Sequence, residues 1–124
     1  MSKFTILELP TVTESRGSLT ILQDALPFSI RRVFWITGAD HQTRGGHRHR
    51  RTRQALAAVA GTVVVHLDDG VVRSEIRLER PNQCLIVEPE DWHAMDFSAA
   101  AVLMVFASEP YDADDYIVSK CASD

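Results

Sequence analysis

The chain contains little cysteine: Cys84 and Cys121 are the only two among 124 residues. Two cysteines exclude the disulfide framework that staples small secreted domains, and both are expected as free thiols in a reducing cytosol. No apolar run reaches the length of a membrane span. The N-terminus lacks a basic start followed by a long apolar stretch, so no signal peptide is visible and the expected location is cytoplasmic. There is no internal repeat, low-complexity tract or linker. The whole chain, residues 1–124, is read as one domain long enough to bury a core. Positive charge is not in excess: the net charge is −4, which argues against general nucleic-acid binding. Helical pattern is scarce as well. It is confined to a segment from about Asp112 to Lys120, where Asp112-Ala113-Asp114-Asp115 forms an acidic first turn suited to the positive end of a helix dipole. Tyr111 and Tyr116 are assigned to the packing of that helix.

What the chain does have is extended structure. Short apolar, β-branched runs are predicted as strands at Phe4–Leu9, Leu19–Leu22, Ile30–Ile36, Ala55–Val59, Thr62–Leu67, Val71–Leu78, Cys84–Val87, Trp92–Phe97 and Val102–Ala107. Asp69-Gly70 between two such runs is a hairpin signal. Turn residues between the runs give the spacing of an all-β sandwich or small barrel. By strand alternation, one of Arg31 and Arg32 faces inward and the other solvent. His66 reads as an ordinary surface or edge residue.

The chemistry is concentrated in Arg44-Gly45-Gly46-His47-Arg48-His49-Arg50-Arg51-Thr52-Arg53-Gln54. These eleven residues hold two of five histidines and five of eleven arginines. A basic, histidine-bearing run in an acidic protein suits an anionic ligand and proton movement near neutral pH. His47 and His49 are two apart, so on a strand both imidazoles project from one face. Gln54 follows after four residues and Gly61 after six more. This spacing matches the later part of the first cupin motif, with Gln54 in place of its glutamate. Pro89-Glu90-Asp91-Trp92-His93 resembles the second motif, with Asp91 in place of its glycine and His93 one residue early.

Two chemistries are open at this point. Three histidines in a barrel would suit zinc or iron. Gln54 brings no negative charge to offset a metal, and the arginines disfavour a dication. The alternative is metal-free acid–base catalysis: a histidine takes a proton from a carbon beside a carbonyl and returns it elsewhere. The arginines, Arg44 and Arg53 among them, would then hold phosphate oxygens with the guanidinium fork.

Beyond this run, the chain resembles the WxcM-like family of small cupin-fold 3,4-ketoisomerases that act on thymidine-diphosphate-4-keto-6-deoxyglucose. The resemblance is carried by Arg16-Gly17-Ser18-Leu19, Ile30-Arg31-Arg32-Val33, Arg44-Gly45-Gly46-His47-Arg48-His49, Leu67-Asp68-Asp69-Gly70, Trp92-His93-Ala94-Met95-Asp96-Phe97-Ser98 and Tyr111-Asp112 with Asp114-Asp115-Tyr116-Ile117. It implies an all-β cupin, or double-stranded β-helix jelly-roll barrel, in a homodimer with exchanged strands. It also implies a nucleotide-diphosphate keto sugar in the barrel and no metal or other cofactor. His47 and His49 would act at the sugar, Arg16 and Arg44 would help hold the diphosphate, and Gln54 and His93 would line the cavity. Where family members usually carry a Tyr-Tyr pair, this chain has Phe34 and Trp35. Neither offers a hydroxyl; Phe34 is assigned to the core and Trp35 to stacking on a base or sugar.

The leading expectation is a metal-independent isomerase that moves a keto group between C4 and C3 of the sugar. A cupin module that binds a nucleotide sugar without turning it over is the alternative, and the absent tyrosine hydroxyl favours it.

Overall fold

A computed structural model describes residues 4–120. The strands are β1 (Thr5–Glu8), β2 (Thr11–Glu14), β3 (Gly17–Thr20), β4 (Arg32–Ile36), β5 (Thr43–His49), β6 (Gln54–Ala60), β7 (Val63–Asp68), β8 (Arg73–Leu78), β9 (Gln83–Val87), β10 (Trp92–Phe97), β11 (Val102–Ala107) and β12 (Tyr116–Ile117). Ten of them form two five-stranded sheets, ordered β1-β9-β6-β11-β4 and β12-β5-β10-β7-β8, and all pairings are antiparallel. β2 and β3 pair only with each other. This is the jelly-roll barrel that the sequence led us to expect.

Alternation builds the core. Val63, Val65 and Leu67 of β7, Met95 and Phe97 of β10, Leu103 and Val105 of β11, and Leu56 and Ala58 of β6 point between the sheets and are buried. Period-two burial of such residues is what fixes the register of each strand. β9 is buried on both faces. Its Leu85 and Val87 join the inter-sheet core, while Cys84 and Ile86 lie beneath Leu22, Leu26 and Phe28 on the outer side. Cys84 is a free, buried thiol, and burial pushes its pKa up to about 11. Cys121 lies outside the described residues.

The Asp69-Gly70 hairpin is present but longer than a two-residue turn. β7 ends at Asp68 and β8 begins at Arg73, with Asp68 paired to Arg73. The reason is local: the Asp69 carboxylate accepts from the N–H groups of Val71 and Val72 at 2.8 and 2.7 Å, which holds both residues in the turn. His66 is not an edge residue. β7 lies between β10 and β8, and on its outer face His66 Nε2 is 2.7 Å from Asp96 Oδ2.

The C-terminal helix is corrected to a single 3₁₀ turn, Ala113–Asp115, followed directly by β12. Asp112 caps the turn by accepting from the N–H of Asp114, as an acidic first turn should. The turn does not propagate, because Asp115 is drawn inward. Its carboxylate accepts from the N–H groups of Arg50 and Arg51 at 3.0 and 2.7 Å and from the Thr52 hydroxyl. Tyr116 and Ile117 then pair with His49 and Arg48 of β5. A tertiary ladder at a sheet edge outweighs a weak local helical preference.

Candidate active site

The site begins with a break in regular pairing. Between β5 and β10 the register shifts: His93 pairs with His47, and Ala94 with Gly45. Gly45 and Gly46 take φ values of +89° and +82° to make this bulge. A Cβ on Gly45 would stand 2.9 Å from the carbonyl oxygen of His93. The two glycines therefore let β5 close against β10 and aim His47 into the barrel.

Three imidazoles converge there. The ring centres of His47 and His49 are 5.0 Å apart, those of His47 and His93 5.2 Å, and those of His49 and His93 5.8 Å. His47 is half-buried on the wall of a cavity of about 190 Å³. His49 is 2% exposed and sits behind it, with neither ring nitrogen hydrogen-bonded among the described residues. His93 is buried on the cavity wall, its Nδ1 3.0 Å from the backbone oxygen of Asp91.

Burial depresses all three histidines. Desolvation pulls His93 from the ordinary 6.5 to about 3. Desolvation, then repulsion from His47, brings His49 to about 4, with Asp115 opposing. His47 is lowered by desolvation, opposed by a hydrogen bond with the Gly45 backbone. At neutral pH the rings are uncharged, which leaves them able to accept protons.

Gln54, at the start of β6, adds a buried amide to the polar side of the cavity, and Arg44 adds an exposed guanidinium. Phe34, Ile36, Leu56, Met95 and Val105 form its apolar side. The amide brings no charge to offset a dication. The structure thus brings together His47, Gln54, His93 and Arg44 on one cavity, with His49 packed behind them.

Three other candidates stand elsewhere. Trp35 lies on the outer face of β4 and is 62% exposed, because alternation turns Phe34 and Ile36 inward. Arg53 is engaged with other partners. It donates to both carboxylate oxygens of Glu88, at 2.8 and 3.0 Å, and to the Pro27 carbonyl at 2.8 Å, away from the cavity. Arg16 stands beside the β2–β3 turn with an 86% exposed side chain, ion-paired to Glu14. Of the remaining arginines in the run, Arg48 donates to Ser119, Arg50 to the Asp114 carbonyl and Arg51 to Asp112. The dense cluster is therefore mostly structural, and Arg44 is its member at the cavity.

The sequence reading gives Asp115 to an acidic helix start and Tyr116 to helix packing, and neither to the site. Asp115 is buried and secures the loop between His49 and Gln54. Its carboxyl, which burial alone would raise, is held below the usual range by the Thr52 hydroxyl and the Arg51 N–H. Tyr116 lines the cavity, with its ring 4.7 Å from that of His47 and 4.8 Å from that of His49. Its signal in the sequence was available in Asp114-Asp115-Tyr116-Ile117 but was assigned to a helix. Arg32 is the inward-facing arginine of its pair: its guanidinium lies 5.3 Å from the Phe34 ring and 5.7 Å from the Tyr111 ring.

Comparison with known proteins gives this geometry a family. Residues 2–122 match the model described as FdtA: WxcM-like, C-terminal. Over 116 residues the chain is 40% identical to the TDP-4-oxo-6-deoxy-alpha-D-glucose-3,4-oxoisomerase of Aneurinibacillus thermoaerophilus, covering 90% of this chain and 84% of that one. The solved WlaRB TDP-quinovose 3,4-ketoisomerase of Campylobacter jejuni superposes with a TM-score of 0.90 at 36% identity, covering 96% of this chain and 95% of that one. A histidine-to-asparagine mutant of the 3,4-ketoisomerase QdtA from Thermoanaerobacterium thermosaccharolyticum, in complex with TDP-4-keto-6-deoxyglucose, superposes at 0.91 with 32% identity, covering 96% and 89%. With its jelly-roll barrel and paired histidines on β5, this chain belongs to the FdtA, WxcM-like family of cupin-fold proteins.

Proposed function

We propose that this protein is a metal-independent 3,4-ketoisomerase of a thymidine-diphosphate-linked 4-keto-6-deoxy sugar. The observation that carries the reading is the cavity in which an uncharged, half-buried His47 faces His93 and Gln54, with Arg44 alongside. His47 is the base: it takes the C3 proton, made acidic by the neighbouring C4 carbonyl, and returns it at C4. His49 is its partner, packed against its ring. Gln54 and His93 hold the sugar, and Arg44 holds diphosphate oxygens. Residues 1–124 act as one unit, in the cytoplasm, in deoxysugar biosynthesis.

The same proposal includes a homodimer with exchanged strands. The β2–β3 hairpin has no other strand as hydrogen-bonding partner among the described residues, and it exposes Val12 and Leu19. A second barrel would cover these side chains, and the exchange would carry Arg16 to a diphosphate.

The test is incubation with TDP-4-keto-6-deoxyglucose, followed by NMR of the product. A 3-keto sugar is expected from the parent chain, and a His47→Asn variant is expected to yield none. The second reading, a binder without turnover, draws on the lack of a hydroxyl at Phe34 and Trp35. Solvent deuterium at C3 separates the two, because a pure binder incorporates none.

A further inference from the structure

Moving a carbonyl from C4 to C3 requires two proton transfers between carbons and two at oxygens. The histidines account for the first pair. O4 must gain a proton as the enediol forms, and O3 must lose one as the new carbonyl forms. Phe34 and Trp35 supply no hydroxyl for this exchange. Among the described residues that line the cavity, Tyr116 carries the one hydroxyl.

Its position is built. β12 pairs antiparallel with β5 so that Tyr116 lies opposite His49, and cross-strand neighbours project from the same face of a sheet. The ring therefore packs on His47 and His49, 4.7 and 4.8 Å between centres. The preceding residue, Asp115, anchors the segment through Arg50, Arg51 and Thr52. Among the described residues no side chain or backbone group hydrogen-bonds the Tyr116 hydroxyl, which leaves it available to a ligand.

We propose that Tyr116 is the catalytic hydroxyl that relays the oxygen-bound proton from O3 to O4. The inference rests on the ketoisomerase reading above. As His47 takes the C3 proton, the C3–H electron pair forms the C3=C4 bond, and the C4 carbonyl oxygen takes the proton of Tyr116. The tyrosinate then takes the O3 proton as C3=O3 forms, and the C3=C4 electron pair takes the proton on His47 at C4. One proton has moved from C3 to C4 and one from O3 to O4, with both side chains restored. Because O3 and O4 are vicinal, one hydroxyl serves both.

Tyr116→Phe keeps the ring against the histidines and removes only the oxygen. Its kcat is expected to fall by about 10²-fold or more with KM little changed, the size and split of a lost general acid–base group. A second measurement does not depend on that variant. Tyr111 and Tyr116 are the only tyrosines, so fluorotyrosine incorporated into a Tyr111→Phe background labels position 116 alone. The more acidic phenol is expected to move the alkaline limb of kcat to lower pH. The proposal is overturned by a Tyr116→Phe variant with the parent's kcat, by one that changes KM alone, or by an unmoved alkaline limb. A parent chain that makes no 3-keto product overturns the ketoisomerase reading, and the relay falls with it.

Discussion

His47, His49 and His93 are the same residue type in three settings, and their settings divide the work. His47 reaches the cavity and stays close enough to water to exchange protons. His49 is buried behind it, and His93 is held by the Asp91 carbonyl. Replacing His47 with Asn should lower kcat/KM by roughly 10²–10⁴-fold, the range for a positioned acid–base group, measured by product NMR. Because desolvation lowers the His47 pKa, the acid limb of kcat/KM should lie below pH 6.5, the ordinary value for histidine. Gly45→Ala places a Cβ against the His93 carbonyl at a positive φ. It should cost about 1–3 kcal/mol in urea unfolding and reduce turnover by displacing His47. At this scale the paired histidines were legible from their spacing alone. Trp35 and Arg53 were not: the phase of β4 depends on its pairing with β11, and Glu88, the partner of Arg53, is distant in sequence.

The elements show how short-range signals are overruled. β10 and β11 run as the apolar pattern indicates, since both lie inside a sheet and their buried faces set the period. The Asp112–Lys120 segment carries an acidic helix start, yet only one 3₁₀ turn forms, because Asp115 binds the Arg50–Thr52 loop and Tyr116 joins β5. No local pattern encodes either contact, and both partners lie more than fifty residues away. Asp115→Ala would leave the Arg51 N–H and the Thr52 hydroxyl without their acceptor, while the Arg50 N–H keeps the Asp115 backbone carbonyl. A loss of about 2–4 kcal/mol is expected in thermal or urea unfolding. Activity should fall with it, because Tyr116 and His49 both rest on that loop.

For the whole molecule, the buried titratable groups govern the response to pH. His49 and His93 have folded pKa values of about 4 and 3, against an ordinary 6.5. Above pH 6.5 both states leave them neutral. As pH falls below 6.5 the unfolded chain takes protons that the folded chain refuses, so stability declines, on the order of 2 kcal/mol per histidine at pH 5. Asp91 works the other way. Burial raises its carboxyl to about 6, so between about pH 6 and 4 the folded chain holds a proton that the unfolded chain has lost. An Asp91→Asn variant should therefore lose stability more steeply on acidification than the parent, read from melting temperature against pH. The exposed β2–β3 hairpin and the proposed dimer belong to this scale too. Sedimentation should give twice the mass of the chain, and a Val12→Glu, Leu19→Glu double variant should give one copy. The barrel was legible because alternating burial is a property of single strands. The course of the hairpin was not, because Val12 and Leu19 stay exposed among the described residues, so no buried face sets its place.

The central claim is that His47 and its cavity move a keto group between C4 and C3 of a nucleotide-linked sugar. The direct test is NMR of TDP-4-keto-6-deoxyglucose incubated with the purified protein in deuterated water. A 3-keto product with solvent deuterium introduced at the isomerised carbon is expected from the parent protein, and neither from His47→Asn. An unchanged sugar with no deuterium at C3 after incubation with the parent protein would contradict it.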